Sequence, residues 1–547
     1  MATLNWIGKE AVVNHHKKVP VRLLECDREL SAGDPDSGNL LVEGDNLEAL
    51  KALLPRYKGQ VKCIYIDPPY NTGNEGWVYN DNVNDPRIMK WLGDAVGKEA
   101  EDLCRHDKWL CMMYPRVALL REFLREDGLL FVSLDDNEVA VFKCVLDELF
   151  GRRNFVQQII WKNKYGPGAM TRGFGNIHEY ILCYSKSPVD SIEAHLSAEQ
   201  MALYKHKDEH FATRGGYITQ PLATKSKDNR ANLVYPIAYK SELIWPDKQW
   251  IWEQSRMKAT IAKNGVVFKK MRDGGWSVRF KQYLRDENGN MRMAKPISIM
   301  NGPFNQDGTA EIEEIFGDRV FNNPKPTELI RYLLSMVVND HDDKDAIFMD
   351  SFAGSGTTGH AVLALNRQDG GNRRFILVQM EESGRNVARD VTAVRLKRVI
   401  EGYHPGNDAK KPKVAGLGAG FKYCRLGREV LDEHGNINPE VPFVDLARYV
   451  FLLETGVPAP TRPRRDNPLI GVHDGRAVYL LYNGVLGDRR PAGGNILTRA
   501  VLDALPAHPA GSGERVVYGE GHKLSEATMK KLGITFRQTP YSLHREG

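Results

Sequence analysis

"CIYIDPPYNTG", residues 63–73, sets an acid, two prolines and a tyrosine directly behind an apolar run. Residues 63–66 are apolar and β-branched enough for a buried strand, and proline ends a strand by removing a ladder donor. Asp67 therefore stands where a strand stops, at the sheet edge where α/β proteins gather their chemistry. An ordinary turn also uses Asp and Pro. The flanking sequence decides between the two.

Outward from this stretch, residues 40–162 alternate strand and helix. "NLLVEGDNLEALKALL" (39–54) reads as strand, turn and a helix with Leu47, Leu50, Leu53 and Leu54 on one face. In "MMYPRVALLREFLREDGLLFVSLDD" (112–136) a helix is expected to end near Gly128, followed by a strand over 129–134. A further helix (137–151) and strand (154–163) follow. Residues 164–319 break the pattern by interleaving glycines, aromatics and basic residues, which marks an inserted unit. Alternation resumes with "PTELIRYLLSMVV", "DAIFMD", "TTGHAVLALNRQ" and "RRFILVQM". The pattern predicts an α/β, Rossmann-like fold with a mostly parallel sheet. It divides the chain into an N-terminal extension (1–37), a first half (38–163), the insert (164–319), a second half (320–411) and a small C-terminal α/β domain (412–547).

"DAIFMDSFAGSGTTGHAVLAL" (345–365) is a strand, a glycine-rich turn and a helix, with Gly354, Gly356 and Gly359 fitting G-x-G-x-x-G. Such a turn lets a ligand approach backbone N–H groups at a helix start. Glu381 and Glu382, at the end of the next strand, can accept hydrogen bonds from ribose hydroxyls, so an adenosine-containing cofactor is expected. A P-loop is excluded by the missing lysine. A nicotinamide site fits the glycines equally well, and a purely structural turn is open too. Asp350 and Phe352 tilt the choice: an acid and an aromatic suit the sulfonium of S-adenosyl-L-methionine, whereas an acid in front of a pyrophosphate gains nothing.

Methylating an exocyclic amine gives the opening stretch a use. The lone pair of adenine N6 is delocalised, so the nitrogen is a poor nucleophile. The Asp67 carboxylate and the Pro68 carbonyl can accept its two N–H bonds and counter the positive charge that develops, with Pro69 holding the turn rigid. A base inside a duplex is out of reach and must be flipped out, and the Tyr70 ring can stack on it; such stacking is worth about 1–3 kcal/mol.

Bulk composition fits a globular protein, with 42% hydrophobic residues among 547. No apolar run approaches the ~20 residues of a membrane span, and the first residues lack a secretory core, so a cytoplasmic protein is expected. Seven cysteines show neither CxxC pairs nor zinc spacing, and read as reduced, packed thiols. No metal-ligand cluster appears. A net charge of +5 permits a polyanionic partner without requiring one.

"DPPYNTG" and "DSFAGSGTTGHAV", in that order and some 280 residues apart, resemble the signature motifs of β-class DNA amino-methyltransferases. "LLVEGDNLEAL", "LLFVSLDDNE", "WKNKYGPG", "NIHEYIL", "NPKPTELI" and "TAVRLKRVI" are similar to further blocks of the modification (Mod) subunits of type III restriction systems. The likeness covers roughly residues 38–403, and the chain is short for a Mod subunit. It implies site-specific N6-adenine methylation of double-stranded DNA, a recognition domain at 164–319, a homodimer and a restriction helicase/nuclease partner. It also implies that Asp45 binds the cofactor's adenine amino group, unless Asp45 is simply a helix cap. Lys325 would close over the methionine part, and Asp350, Phe352, Ala353, Gly354, Ser355, Gly356 and Thr357 would form the cofactor loop. Glu381 or Glu382 would bind ribose. Trp161 would line the base pocket or be a core tryptophan, and His178 has no clear role. Cytosine-N4 methylation is the nearest alternative chemistry; a non-catalytic DNA-binding specificity subunit is a second.

Overall fold

The structure, a computed structural model, describes residues 4–71, 98–167, 173–196, 198–225, 228–338, 343–381, 384–482, 485 and 495–544. A ten-stranded sheet organises it. In chain order its strands are β1 (Arg22–Gly33), β2 (Leu40–Glu43), β3 (Val61–Ile66), β4 (Leu124–Leu134), β5 (Phe155–Lys162), β6 (His178–Ser185), β7 (Ile299–Asn301), β8 (Ile347–Asp350), β9 (Arg374–Gln379) and β10 (Gly420–Glu429). Across the sheet they run β1-β10-β2-β9-β8-β3-β4-β6-β5-β7. The strands from β10 to β4 are parallel, while β6 is antiparallel to both its neighbours and β1 to β10. This is the Rossmann-like α/β architecture the alternation predicts.

Both faces of the parallel strands are covered, so every residue of β3 and of β8 is buried. The covering helices are α1 (Asn46–Tyr57), α2 (Lys98–Phe123), α3 (Val139–Leu146), α4 (Asn305–Phe316), α5 (Thr327–Ser335), α6 (Thr357–Asp369) and α7 (Val394–Glu401). Leu47, Leu50, Leu53 and Leu54 of α1 all enter the main core, each burial contributing about 1.5–3 kcal/mol. Lys62 is the exception within β3: its ammonium is buried, and Asp127 at 2.7 Å and Asp343 at 3.3 Å neutralise it.

Four features depart from the sequence reading. The helix before β4 ends at Phe123, not near Gly128. Leu124 pairs with Val61 and Leu129 with Cys63, so residues 125–128 bulge out of a strand that starts earlier than its apolar run. The N-terminal and C-terminal segments are not mere appendages. β1 and β10 extend the central sheet, and Phe421 and Tyr423 of β10 are fully buried in it. The separate C-terminal sheet consists of Leu469–His473, Arg476–Leu480, Glu514–Gly519 and Ile534–Gln538. Finally, the reading of all cysteines as thiols fails for two of them: Cys26 and Cys424 are register partners in β1 and β10 and are bonded to each other. A sequence separation of 398 residues hides that neighbourhood.

The insert forms a compact unit over residues 193–296, narrower than the 164–319 expected, because β6 and β7 belong to the central sheet. Its core gathers Leu222, Tyr235, Ile237, Trp250 and Val278 behind a three-stranded antiparallel sheet.

Candidate active site

β3 and β8 are adjacent parallel strands, with Ile64 beside Met349. Their C-terminal ends therefore open on the same edge of the sheet. Asp67 follows β3 directly and Asp350 ends β8. Both line one cavity of about 440 Å³, together with Pro68, Pro69, Tyr70, Lys325, Phe352, Ala353, Gly354, Ser355, Thr357 and Glu381.

The turn after β3 is fixed from behind. The Trp109 indole donates to the Pro69 carbonyl at 2.7 Å. In front of it four polar side chains meet. The Tyr70 hydroxyl lies 2.8 Å from Asp67 Oδ1 and 3.0 Å from Glu179 Oε2. Lys325 Nζ donates to the Tyr70 oxygen at 2.8 Å and pairs with Asp67 Oδ2 at 2.9 Å, while Glu179 Oε2 is 3.5 Å away. Asn163 anchors the other Glu179 oxygen at 2.6 Å. Burial pushes the Asp67 carboxyl above its usual range, a rise that the Lys325 ammonium opposes. Burial alone would lower Lys325, but Asp67 and Glu179 hold it above its ordinary value.

The turn after β8 is made of backbone. Gly354 has φ +50° and Gly356 φ +81°, the left-handed region that favours glycine. The Gly354 amide donates to Gln379 Oε1 at 2.6 Å, and its carbonyl accepts from Thr392 at 2.6 Å. The buried Arg395 donates to the hydroxyls of Ser355 and Thr357, each at 2.9 Å. Asp350 accepts from the Phe352 amide at 2.9 Å and from Thr358 at 2.6 Å. No cation is among the groups that set its ionisation, and burial raises its carboxyl to about 7 despite those two hydrogen bonds. Gly356 does not line the cavity; it shapes the loop, since a Cβ there would stand 3.0 Å from Thr392 Cγ2.

This arrangement can hold an amine against Asp67 and a cationic adenosine ligand against Asp350. The sequence profile described as DNA methylase matches residues 61–390, more than half of the chain, from β3 past β9. The chain belongs to this DNA methylase family. It is 32% identical over 456 residues to the type III restriction-modification enzyme StyLTI Mod subunit of Salmonella typhimurium, covering 79% of this chain and 67% of that one. The EcoPI Mod subunit of Escherichia phage P1 is 32% identical over 424 residues, 70% of this chain and 64% of that one. The type II methyltransferase M.KpnI of Klebsiella pneumoniae is 28% identical over 418 residues, 69% of this chain and 91% of that one. The chain thus spans about two thirds of the length of these Mod subunits.

In the methylase, the remaining expected residues separate. Asp45 caps α1, accepting from the amides of Leu47 at 2.8 Å and Glu48 at 3.2 Å, and pairs with Arg116 at 2.9 Å. Its neighbour Asn46, not Asp45, lines the cavity. Trp161 is fully buried, donates to the Pro303 carbonyl at 2.8 Å and is not among the cavity-lining residues, with its ring 5.9 Å from Lys325 Nζ. His178 meets the Tyr180 hydroxyl at 3.0 Å, away from the cluster. Glu382 lies outside the described residues. Glu179, Asn163 and Arg395 are not singled out by periodicity or spacing; the signal that contains them is the likeness of the blocks "NIHEYIL", "WKNKYGPG" and "TAVRLKRVI" to Mod subunits, which assigns them no role. Among the described residues no group of three or more metal-ligating side chains occurs, and no helix is long and apolar enough to cross a membrane.

Proposed function

We propose that the methylase transfers a methyl group to the N6 amine of an adenine flipped out of double-stranded DNA. The observation that carries this reading is the shared cavity: an acid suited to the amine and an acid suited to a sulfonium end adjacent strands and face the same space.

S-adenosyl-L-methionine, when bound, supplies an electrophilic methyl group beside a sulfonium. The residues present fit it. Among the described residues, no cation faces the buried Asp350 carboxylate, and the buried Ser351 hydroxyl at the cavity wall has no hydrogen-bond partner. The Glu381 carboxylate, at the same cavity wall, completes the set with an acceptor for ribose hydroxyls. On the substrate side, Asp67 and the Pro68 carbonyl accept the two N6–H bonds and turn the lone pair outward. Asp67 takes the proton that N6 sheds once the N–C bond has formed. The Tyr70 ring stacks on the base. The Lys325 ammonium stands with this amine-binding group, while its carbonyl accepts from Thr357 of the cofactor loop at 3.2 Å, which keeps it a candidate to close over the methionine part.

The residue before the two prolines is Asp, and the relatives above include Mod subunits, so adenine is preferred to cytosine. Hydrolysis of methylated DNA to nucleosides, followed by mass spectrometry, tests this. N6-methyladenine is expected; N4-methylcytosine would establish the alternative chemistry. The unit at 193–296 is proposed to read the DNA sequence, and replacing it with that of a related enzyme should move methylation to another site. The Mod likeness extends the proposal to a homodimer and a restriction helicase/nuclease partner, which sedimentation and co-purification check.

A further inference from the structure

The proposed chemistry leaves Glu179 without a task, although it sits in the same cluster. Both oxygens of Asp67 are engaged: Oδ1 by Tyr70 at 2.8 Å and Oδ2 by Lys325 at 2.9 Å. A carboxylate oxygen can accept two hydrogen bonds, so a target amine that donates to Asp67 shares an oxygen with one of these donors, and its own bond strengthens when that donor moves away. Lys325 is only 8% exposed, and a buried ammonium stripped of its counter-charge costs several kcal/mol. Glu179 removes this obstacle. A single oxygen, Oε2, already lies 3.0 Å from the Tyr70 hydroxyl and 3.5 Å from Lys325 Nζ, while Asn163 holds the other. A shift of a fraction of an ångström exchanges one ion pair for another and keeps the ammonium paired, while the Asp67 carboxylate turns to the amine hydrogens. The two carboxylates around one ammonium also keep the cluster net negative, which favours the positive charge that develops on the amine.

We propose that Glu179 is a positioning residue that receives Lys325 and the Tyr70 hydroxyl as the target base arrives, freeing Asp67 to accept the base amine. The proposal rests on the reading of Asp67 as the amine acceptor. Glu179 acts through Lys325, so its importance must depend on Lys325 being present.

The test measures single-turnover methylation of duplex DNA by the full chain, together with cofactor binding by calorimetry. Four proteins are compared: wild type, Glu179→Gln, Lys325→Met and the double variant. Glu179→Gln should slow transfer about tenfold or more, while cofactor affinity stays within about twofold, which also shows that the variant is folded. In the Lys325→Met background the same substitution should cost less than about threefold. Glu179→Asp, which keeps the charge, should recover most of the rate. Wild-type turnover by Glu179→Gln, or an equal loss in both backgrounds, would overturn the proposal, the latter by showing a role independent of Lys325. If Glu179→Gln loses cofactor binding, Asn163→Ala, which releases the anchor of Glu179, enters the same cycle with the same expectations. Absence of methyl transfer by the wild-type chain on any DNA would instead overturn the underlying assignment of the site, and this proposal with it.

Discussion

Asp67 and Asp350 end neighbouring strands and line one cavity, yet they differ in what faces them. Asp67 has a cation at 2.9 Å and a hydroxyl at 2.8 Å, so its charge is matched before any ligand arrives. Among the described residues Asp350 has an amide and a hydroxyl as partners and no cation, and burial, with the Asp67 charge adding to it, lifts it to about 7. The first site is built from side chains that share their partners, and in the proposal above it exchanges those partners to accept its ligand. The second is built from fixed backbone and takes its missing cation from the ligand. A nucleophile-binding site gains from exchangeable partners, and a cofactor site gains from preorganisation.

The largest expected effect attacks the first side of that contrast. Asp67→Ala should cut methyl transfer by on the order of 10²–10³-fold, as loss of one charge-stabilising group does, while cofactor affinity measured by calorimetry stays near wild type. Loss of cofactor binding in this variant would show that the two acids form one site and not two.

Next comes the cofactor loop. Gly356→Val puts a β-branched side chain at φ +81° and against Thr392, costing about 1–3 kcal/mol of backbone strain. Cofactor binding should be lost and the melting temperature should fall by several degrees. Normal binding would show that the loop tolerates a different backbone.

The pH dependence of Asp350 sharpens the comparison. Its folded value, about 7, lies above the ordinary 3.8. Folding therefore favours its protonated form: that contribution to stability is fully present below about pH 4 and is lost as pH rises through about 7. A cationic ligand needs the ionised form, so cofactor affinity should rise with pH up to about 7 and level off above it. Binding near pH 6 should release close to one proton, read by calorimetry in buffers of different ionisation enthalpy. Asp350→Asn should bind weakly at every pH with no such slope. A flat wild-type profile would mean that Asp350 does not meet the cation.

The smallest effect separates a cap from a contact. Asp45→Ala removes the carboxylate oxygen that accepts from two amides at the start of α1 and should lower stability by about 1 kcal/mol, leaving cofactor affinity unchanged. A tenfold weaker affinity would restore Asp45 as a cofactor ligand.

The sequence by itself determined the parallel sheet, through apolar runs alternating with amphipathic segments, and both ligand-facing turns, because prolines and glycines impose local backbone geometry wherever they stand. Asp67, Tyr70, Asp350 and the Gly354 turn were legible for that reason. The turning of the Lys325 ammonium towards Asp67, the burial of Trp161 and the capping of α1 by Asp45 depended on which way side chains point, which spacing does not encode. Only the tertiary structure brought β1 and β10 into the central sheet and joined Cys26 to Cys424, since pairing across hundreds of residues leaves no local mark. It alone set Glu179, from β6, against Lys325, from the segment before α5. Partners in an ion-pair cluster are chosen by distance in the folded chain, and the blocks "NIHEYIL" and "NPKPTELI" that hold these two residues do not say that they meet.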